Sequence, residues 1–315
     1  MATSATALSE PNQSPATQDN GKGSNVYKII TQQILNLLEQ GTIPWKRPWS
    51  ITQSDDPVNI RGTPYRGANY FLLSCLGYDR PIFLTYKQSL ELGGNVKQGE
   101  KGIPVVYWRL IDVKEIDKVT GEVEIKRVPF LRYYTVFNIE QCENIKLPAQ
   151  FSNTNQPPPD FDPIEAAEAI WTGYPNPPVL HHRGNRAYYR LGTDEIVMPP
   201  LHSFEKREEY YSTLFHEMGH STRHNTRLHR EFGRSKVQHG YAREELVAEM
   251  TSAFLCGRAG ISQPVLENQA AYLASWSKNL KDDPKLFVVA AGHAQKAADH
   301  ILNAKATEEA TEMCA

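Results

Sequence analysis

Residues 208–224, EEYYSTLFHEMGHSTRH, are the stretch on which the reading of the chain turns. The pattern is helical, and on a helix positions i and i+4 share a face, so His216 and His220 point at one spot. Glu217 is turned from them by one residue step, where it can reach a water held there without being a ligand itself. Two imidazoles, one further ligand and an open position for water make up a zinc peptidase site. The bland alternative is a pair of surface histidines on an amphipathic helix, so the third ligand carries weight.

A longer pattern ending in a third histidine is absent, because Thr226 stands where that histidine would fall. Instead a second helix begins at residue 241 as YAREELVAEMTSAFLC, with Glu245 and Glu249 four residues apart on one face. Glu245 reads as the ligand and Glu249 as the carboxylate that orients a histidine N–H, with the reverse assignment as the alternative. Glu244 points elsewhere and reads as a solvated charge at a helix start. Zn2+ is the expected cofactor for a His2Glu set, and Mn2+ or Co2+ suit the same donors. Tyr241 or His239 would supply the donor that a transition-state oxyanion needs.

Outward from this site, helical patterns are expected near 163–171, 205–224, 241–258, 264–280 and 283–303. AYYRLGTDEIVMPP (187–200) reads as a hairpin turning at Gly192-Thr193-Asp194, whose edge could receive an extended peptide. A small sheet with several helices is an α+β unit. PAQFSNTNQPPPDFDP (148–163) is the natural linker, since three consecutive prolines exclude helix and central strand. The expected organisation is a tail at 1–24, a domain at 25–147, the linker at 148–163, a domain at 164–304 and a tail at 305–315. The serine- and threonine-rich first segment holds too few large apolar residues to offset its ordering entropy.

The first domain also reads as α+β. SNVYKIITQQILNLLEQG (24–41) and TYKQSLELGG (85–94) are helical, while IPVVYWRLIDV (103–113) and EVEIKRVPFLRYYTVF (122–137) form an antiparallel pair. Its charge differs from that of the second half: residues 25–150 carry a net of +3 and residues 151–315 a net of −4. Residues 44–109 hold nine Lys and Arg, five Asp and Glu and ten aromatics. Cations for phosphates and flat rings for bases are what sequence-tolerant single-stranded nucleic-acid binding requires. The candidates are Trp45, Lys46, Arg47, Trp49, Arg61, Tyr65, Arg66, Tyr86, Lys87, Gln88, Lys97 and Lys101, most of them placed on loops by neighbouring Gly and Pro. Trp108, in an apolar run, reads as core.

An overall net charge of −2 excludes a globally basic binder, and no apolar run approaches the ~18 residues of a membrane helix. The start lacks a secretory profile, and Cys75, Cys142, Cys256 and Cys314 form no CxxC pair. A cytoplasmic protein without a disulfide scaffold and without a membrane partner is expected.

VYKIITQQILNLLEQGTIPWKRPW, PVNIRGTPYRGANYFLL and FLTYKQSLELGGNVKQGEKGIPVVYW, followed by YYSTLFHEMGHSTRHNTRLHR and YAREELVAEMTSAFLC, resemble the ArdC-type antirestriction proteins. The first three resemble a domain shared with TraC-type plasmid primases, and the last two a zincin-like metallopeptidase domain. The resemblance implies a single-stranded-DNA-binding module followed by a metal-binding module, carried by a conjugative plasmid or other mobile element. It implies protection of incoming DNA from restriction, with a host protein as a possible peptide substrate. It adds Asn69, in YRGAN, to the DNA-facing candidates. The rival reading is a pure single-stranded-DNA-binding protein in which the metal is structural.

Overall fold

A computed structural model describes residues 23–46, 56–116, 123–151, 162–230, 237–261 and 269–304. The chain enters as α1 (Gly23–Glu39), whose Ile30, Ile34 and Leu38 recur at helical spacing and are buried. Gly41 follows at φ +79°, a left-handed conformation that ends the helix without a Cβ clash. Then come β1 (Val58–Asn59), α2 (Gly67–Ser74), β2 (Ile82–Leu84), α3 (Tyr86–Glu91), β3 (Asn95–Val96), β4 (Ile103–Ile116), β5 (Val123–Asn138) and β6 (Cys142–Glu143). The main sheet runs β1-β2-β5-β4, parallel only between β1 and β2, and β3 pairs with β6. The expected antiparallel pair is a long ribbon in which Ile103 faces Val136 and Ile116 faces Val123.

The second half contains α4 (Pro163–Thr172), β7 (Val179–His182), β8 (Tyr188–Arg190), β9 (Glu195–Met198), α5 (Arg207–Ser221), α6 (Val237–Ala259), α7 (Gln269–Asp282) and α8 (Leu286–Ile301). Asp162 caps α4 by accepting the N–H groups of Ile164 and Glu165, and Pro163 sits at its first turn. The sheet order is β7-β9-β8: β8 and β9 form the expected hairpin, while β7 adds a parallel strand that the alternation had not marked. The whole is α+β. Among the described residues no helix is long and apolar enough to cross a membrane.

The two halves share an apolar core. The largest apolar cluster joins Ile30, Ile34, Trp45 and Phe71 from the first half to Leu246, Met250, Trp276 and Phe287 from the second. Trp45 is fully buried, with its ring 5.8 Å from that of Trp276 and 6.0 Å from that of Phe287. Polar links reinforce the joint: the Thr31 hydroxyl donates to the Pro284 carbonyl at 2.7 Å, and Arg66 pairs with Asp299 on α8. A second cluster, under the β7–β9–β8 sheet, packs Ile196 and Met198 against Leu214, Phe215 and Met218 of α5.

Candidate metal centre

The centre is built where α5 crosses α6. Gly219 makes the close crossing possible, because a Cβ there would lie 2.9 Å from the Ala248 Cα and 3.2 Å from the Ala248 carbonyl oxygen. With the helices this near, His216 and His220 on α5 face Glu245 on α6. The His216 Nε2 lies 3.1 Å from Glu245 Oε1 and 3.2 Å from the His220 Nε2, and the latter lies 3.8 Å from Glu245 Oε2. All three donor atoms fall within 4.8 Å of one another. Bonds of about 2.0–2.2 Å in a tetrahedral array would set donors about 3.3 Å apart. Two imidazole nitrogens and one carboxylate oxygen at these separations therefore fit a single divalent ion, and a fourth protein ligand is not needed for a catalytic type of site.

Electrostatics favours the same arrangement. Burial would lower the His216 imidazole, but the hydrogen bond to Glu245 and the charges of Glu217, Glu245 and Glu249 outweigh it and raise the group. Burial opposes ionisation of Glu245 too, and the two histidines overcome it, holding that carboxyl below its ordinary value. Glu217, buried beside them, is shifted the other way: its loss of solvation outweighs His216, His220 and the Tyr189 backbone N–H, and its carboxyl is raised. A carboxylate held up in this way is suited to carrying a proton.

Glu244, read from the sequence as a solvated charge, is buried. Its Oε1 lies 3.4 Å from the His220 Nδ1 and accepts from Arg230 Nη2 at 2.9 Å. Burial raises this carboxyl, and His220 and Arg230 together bring it below its usual value. Arg230 also donates to the Gly219 carbonyl at 3.0 Å and to the Thr222 hydroxyl, so it ties the end of α5 to Glu244. Glu244 is thus placed to orient the His220 ring through its Nδ1, leaving Nε2 turned toward His216 and Glu245. Replacing Glu244 by Ala is expected to weaken divalent-metal affinity about 10- to 100-fold. Titration calorimetry with the metal would read this directly.

The Glu249 assignment is corrected by the same geometry. Its Oε2 accepts from the Trp45 indole N–H at 2.9 Å and from the Tyr272 hydroxyl. Burial and Glu249 push the Tyr272 phenol well up, so it stays a donor. One helical turn beyond Glu245, Glu249 serves the joint between the halves.

The β8 strand closes the centre on the other side. The Tyr189 backbone helps hold the Glu217 carboxyl down, and the Tyr189 phenol donates to Asp194 at 2.8 Å. Asp194 sits in the hairpin turn at φ +50° and pairs with Arg227, whose side chain is fully buried. Arg227 donates in addition to the Ser221 carbonyl at 2.8 Å and the Asn176 carbonyl at 2.9 Å. The edge strand is therefore clamped to the end of α5. Nothing in residue spacing marks Arg227, Arg230 or Glu244; the only sequence signal for the two arginines is the run of basic residues just past the HEMGH segment. Tyr241, 72% exposed, stands one turn before Glu245, whose carboxylate charge raises its phenol. The side chain of His239 lies outside the described residues, as do Arg47, Trp49 and the side chain of Trp108.

Several nucleic-acid candidates are occupied elsewhere. Trp45 has no free face, and Tyr65 is buried against Phe83. Arg66 is engaged by Asp299. Asn69 is buried on α2, a helix where loop had been expected, and its amide holds both the N–H (2.8 Å) and the carbonyl (2.6 Å) of Val106. Gln88 completes the capping box of α3 with Thr85. Lys46 lies over the Tyr272 ring at 5.6 Å. Arg61, Tyr86 and Lys101 are exposed, as are Lys87, which lies 3.7 Å from Glu91, and Lys97, which donates to the Glu140 carbonyl at 2.8 Å.

Comparison with known proteins agrees with this architecture. Residues 24–137 match the N-terminal domain of anti-restriction factor ArdC, and residues 167–293 match a zincin-like metallopeptidase. The crystal structure of metal-free antirestriction ArdC from plasmid R388 is 37% identical, covers 87% of this chain and 96% of its own, and superposes with a TM-score of 0.66. The chain belongs to the ArdC family. The Mn(II)-bound ArdC structure from R388 is similar at 36% identity over 88% of this chain and 97% of that one, with a TM-score of 0.67. A DNA primase TraC from Escherichia coli is 33% identical over 88% of this chain, and this ArdC-family chain spans only 27% of that primase's length.

Proposed function

We propose that this ArdC-family protein is a cytoplasmic antirestriction factor that binds single-stranded DNA and hydrolyses a peptide bond at a divalent-metal centre. The observation that carries the reading is the convergence of His216, His220 and Glu245 beside a buried Glu217. Zinc is the first choice for this donor set, and the Mn(II) form of the R388 relative makes manganese the second. An ion held there supplies a Lewis acid and a bound water of lowered pKa.

The rest is work for the chain's own residues. Glu244 fixes the ring plane of His220, and Glu245 and His216 fix each other. Glu217 takes a proton at its carboxylate and returns it to the leaving amine. The Asp194–Arg227 clamp keeps the edge strand beside that carboxylate, and an extended peptide can pair along the strand. Tyr241, beside Glu245 and in the field of Glu217, offers an O–H to a developing oxyanion.

Glu217→Gln should leave metal content unchanged and abolish protection of DNA entering a restricting host, scored as transfer efficiency. Full protection by a metal-loaded Glu217→Gln chain would mean that DNA coverage alone is the function. For DNA itself, Tyr86 is the best remaining platform, 54% exposed and next to Lys87. Tyr86→Ala is expected to weaken oligothymidylate binding by about 1–3 kcal/mol, the value of one stacked base. Fluorescence anisotropy at fixed salt would measure it.

A further inference from the structure

The zincin-like half carries a basic surface that the site above does not use. The inner face of the β7–β9–β8 sheet presents Leu180, Tyr189, Ile196 and Met198 to the core under α5. Strand alternation sends His181, Tyr188, Arg190 and Glu195 to the opposite face, where Arg190 stands directly across from Glu195. Glu195 is nearly covered, with 12% of its side chain exposed, and receives Arg190 at 2.5 Å, Arg183 at 3.2 Å and His181 at 3.5 Å. The two guanidiniums around it remain 50% and 55% exposed. Arg190 lies over the Tyr188 ring at 5.4 Å, and Arg186 is exposed in the loop between β7 and β8.

Charge on this face does not balance. Residues 173–193 contain three arginines and two histidines and no acidic residue. The next two acids are accounted for, since Asp194 is taken up by Arg227 and Glu195 is one carboxylate shared by several cations. Half-exposed guanidiniums aligned by a nearly covered carboxylate keep N–H groups for an external anion, and Arg forks suit phosphate oxygens. A tyrosine ring stacked with one of them adds a flat surface for a base. The strip also sits next to the metal centre: Tyr189, between Tyr188 and Arg190, is the residue whose backbone lowers the Glu217 carboxyl.

We infer that this outer sheet face binds a phosphodiester backbone, so that a single DNA strand lies along β8 with its phosphates on Arg183, Arg186 and Arg190. This rests on the single-stranded-DNA reading proposed above and extends it. Both halves of the chain grip the strand, and DNA is held beside the hydrolytic centre. The mixture of guanidinium forks and an aromatic ring favours a nucleic acid over an acidic peptide.

The test uses the full chain, labelled oligothymidylate and a salt series. Each lost phosphate contact on a single strand removes about 0.7 from the slope of log affinity against log salt. Arg186→Gln, a change at an exposed loop position that leaves the fold intact, should lower the slope by about 0.7, and the triple Arg183/Arg186/Arg190→Gln variant by about 2. Photo-cross-linking of a bromodeoxyuridine oligonucleotide should recover the peptide containing Tyr188. An unchanged slope in Arg186→Gln, with no cross-link in residues 179–191, overturns the inference while leaving DNA binding by the first half in place. Arginine-dependent binding of polyglutamate but not of the oligonucleotide at this face would overturn it in favour of an acidic peptide. No oligonucleotide binding by the native chain would remove the DNA reading itself.

Discussion

Trp45→Ala is expected to destabilise the whole chain by about 3–5 kcal/mol, the range for emptying a fully buried Trp or Phe site. Trp45 has 0% exposure and sits among Trp276, Phe287 and Met250, all from the second half. Its removal opens a cavity at the joint and takes one donor from Glu249, whose remaining bond is to Tyr272. Because one core spans both halves, calorimetry should show a single transition for the described core of the native chain, shifted down by roughly 10 °C in the variant. Trp45→Phe, which keeps most of the bulk and loses the N–H, should fall between the two. Two well-separated transitions in the native protein, or a Trp45→Ala chain of native stability, would contradict a shared core.

His220→Ala should lose stoichiometric divalent metal altogether after dialysis, measured by elemental analysis. On the proposed reading the imidazole is both a donor to the ion and the group through which Glu244 and Arg230 stiffen the centre. Two nitrogen and oxygen donors that remain cannot close a catalytic type of site, for which three protein ligands are usual. The adjacent glutamates sharpen the test. Glu245→Ala should lose metal as His220→Ala does, whereas Glu249→Ala should keep it and lose stability, since Glu249 is spent on Trp45 and Tyr272. Loss of metal from Glu249→Ala with retention in Glu245→Ala would reverse the assignment.

The parts of this architecture that follow a local period are legible in the sequence. The i, i+4 row places His216 and His220 together, apolar spacing marks α1, and β-branched and aromatic runs mark the ribbon of β4 and β5. What could not be read there depends on how separate elements meet. Glu245 and Glu249 share a helix face, yet that face is broad enough for one carboxylate to meet α5 and the other to meet Trp45 from about two hundred residues earlier. Glu244 lies a residue step off the ligand face, and only the position of Arg230 after α5 makes its burial tolerable. The aromatic and basic loops looked alike as potential nucleic-acid contacts. Burial then divided them: Trp45 and Tyr65 went to cores and Asn69 to the edge of β4, while Tyr86 and Lys87 stayed in solvent.

Anomalous diffraction at the zinc edge, and again at the manganese edge, from crystals of the full chain grown with each metal tests the central claim most directly. The expected result is one peak per chain about 2.0–2.2 Å from the His216 Nε2, the His220 Nε2 and a Glu245 oxygen, with Glu217 beyond bonding distance. A peak coordinated by other side chains, or no peak at saturating metal while those three groups keep their places, would contradict it.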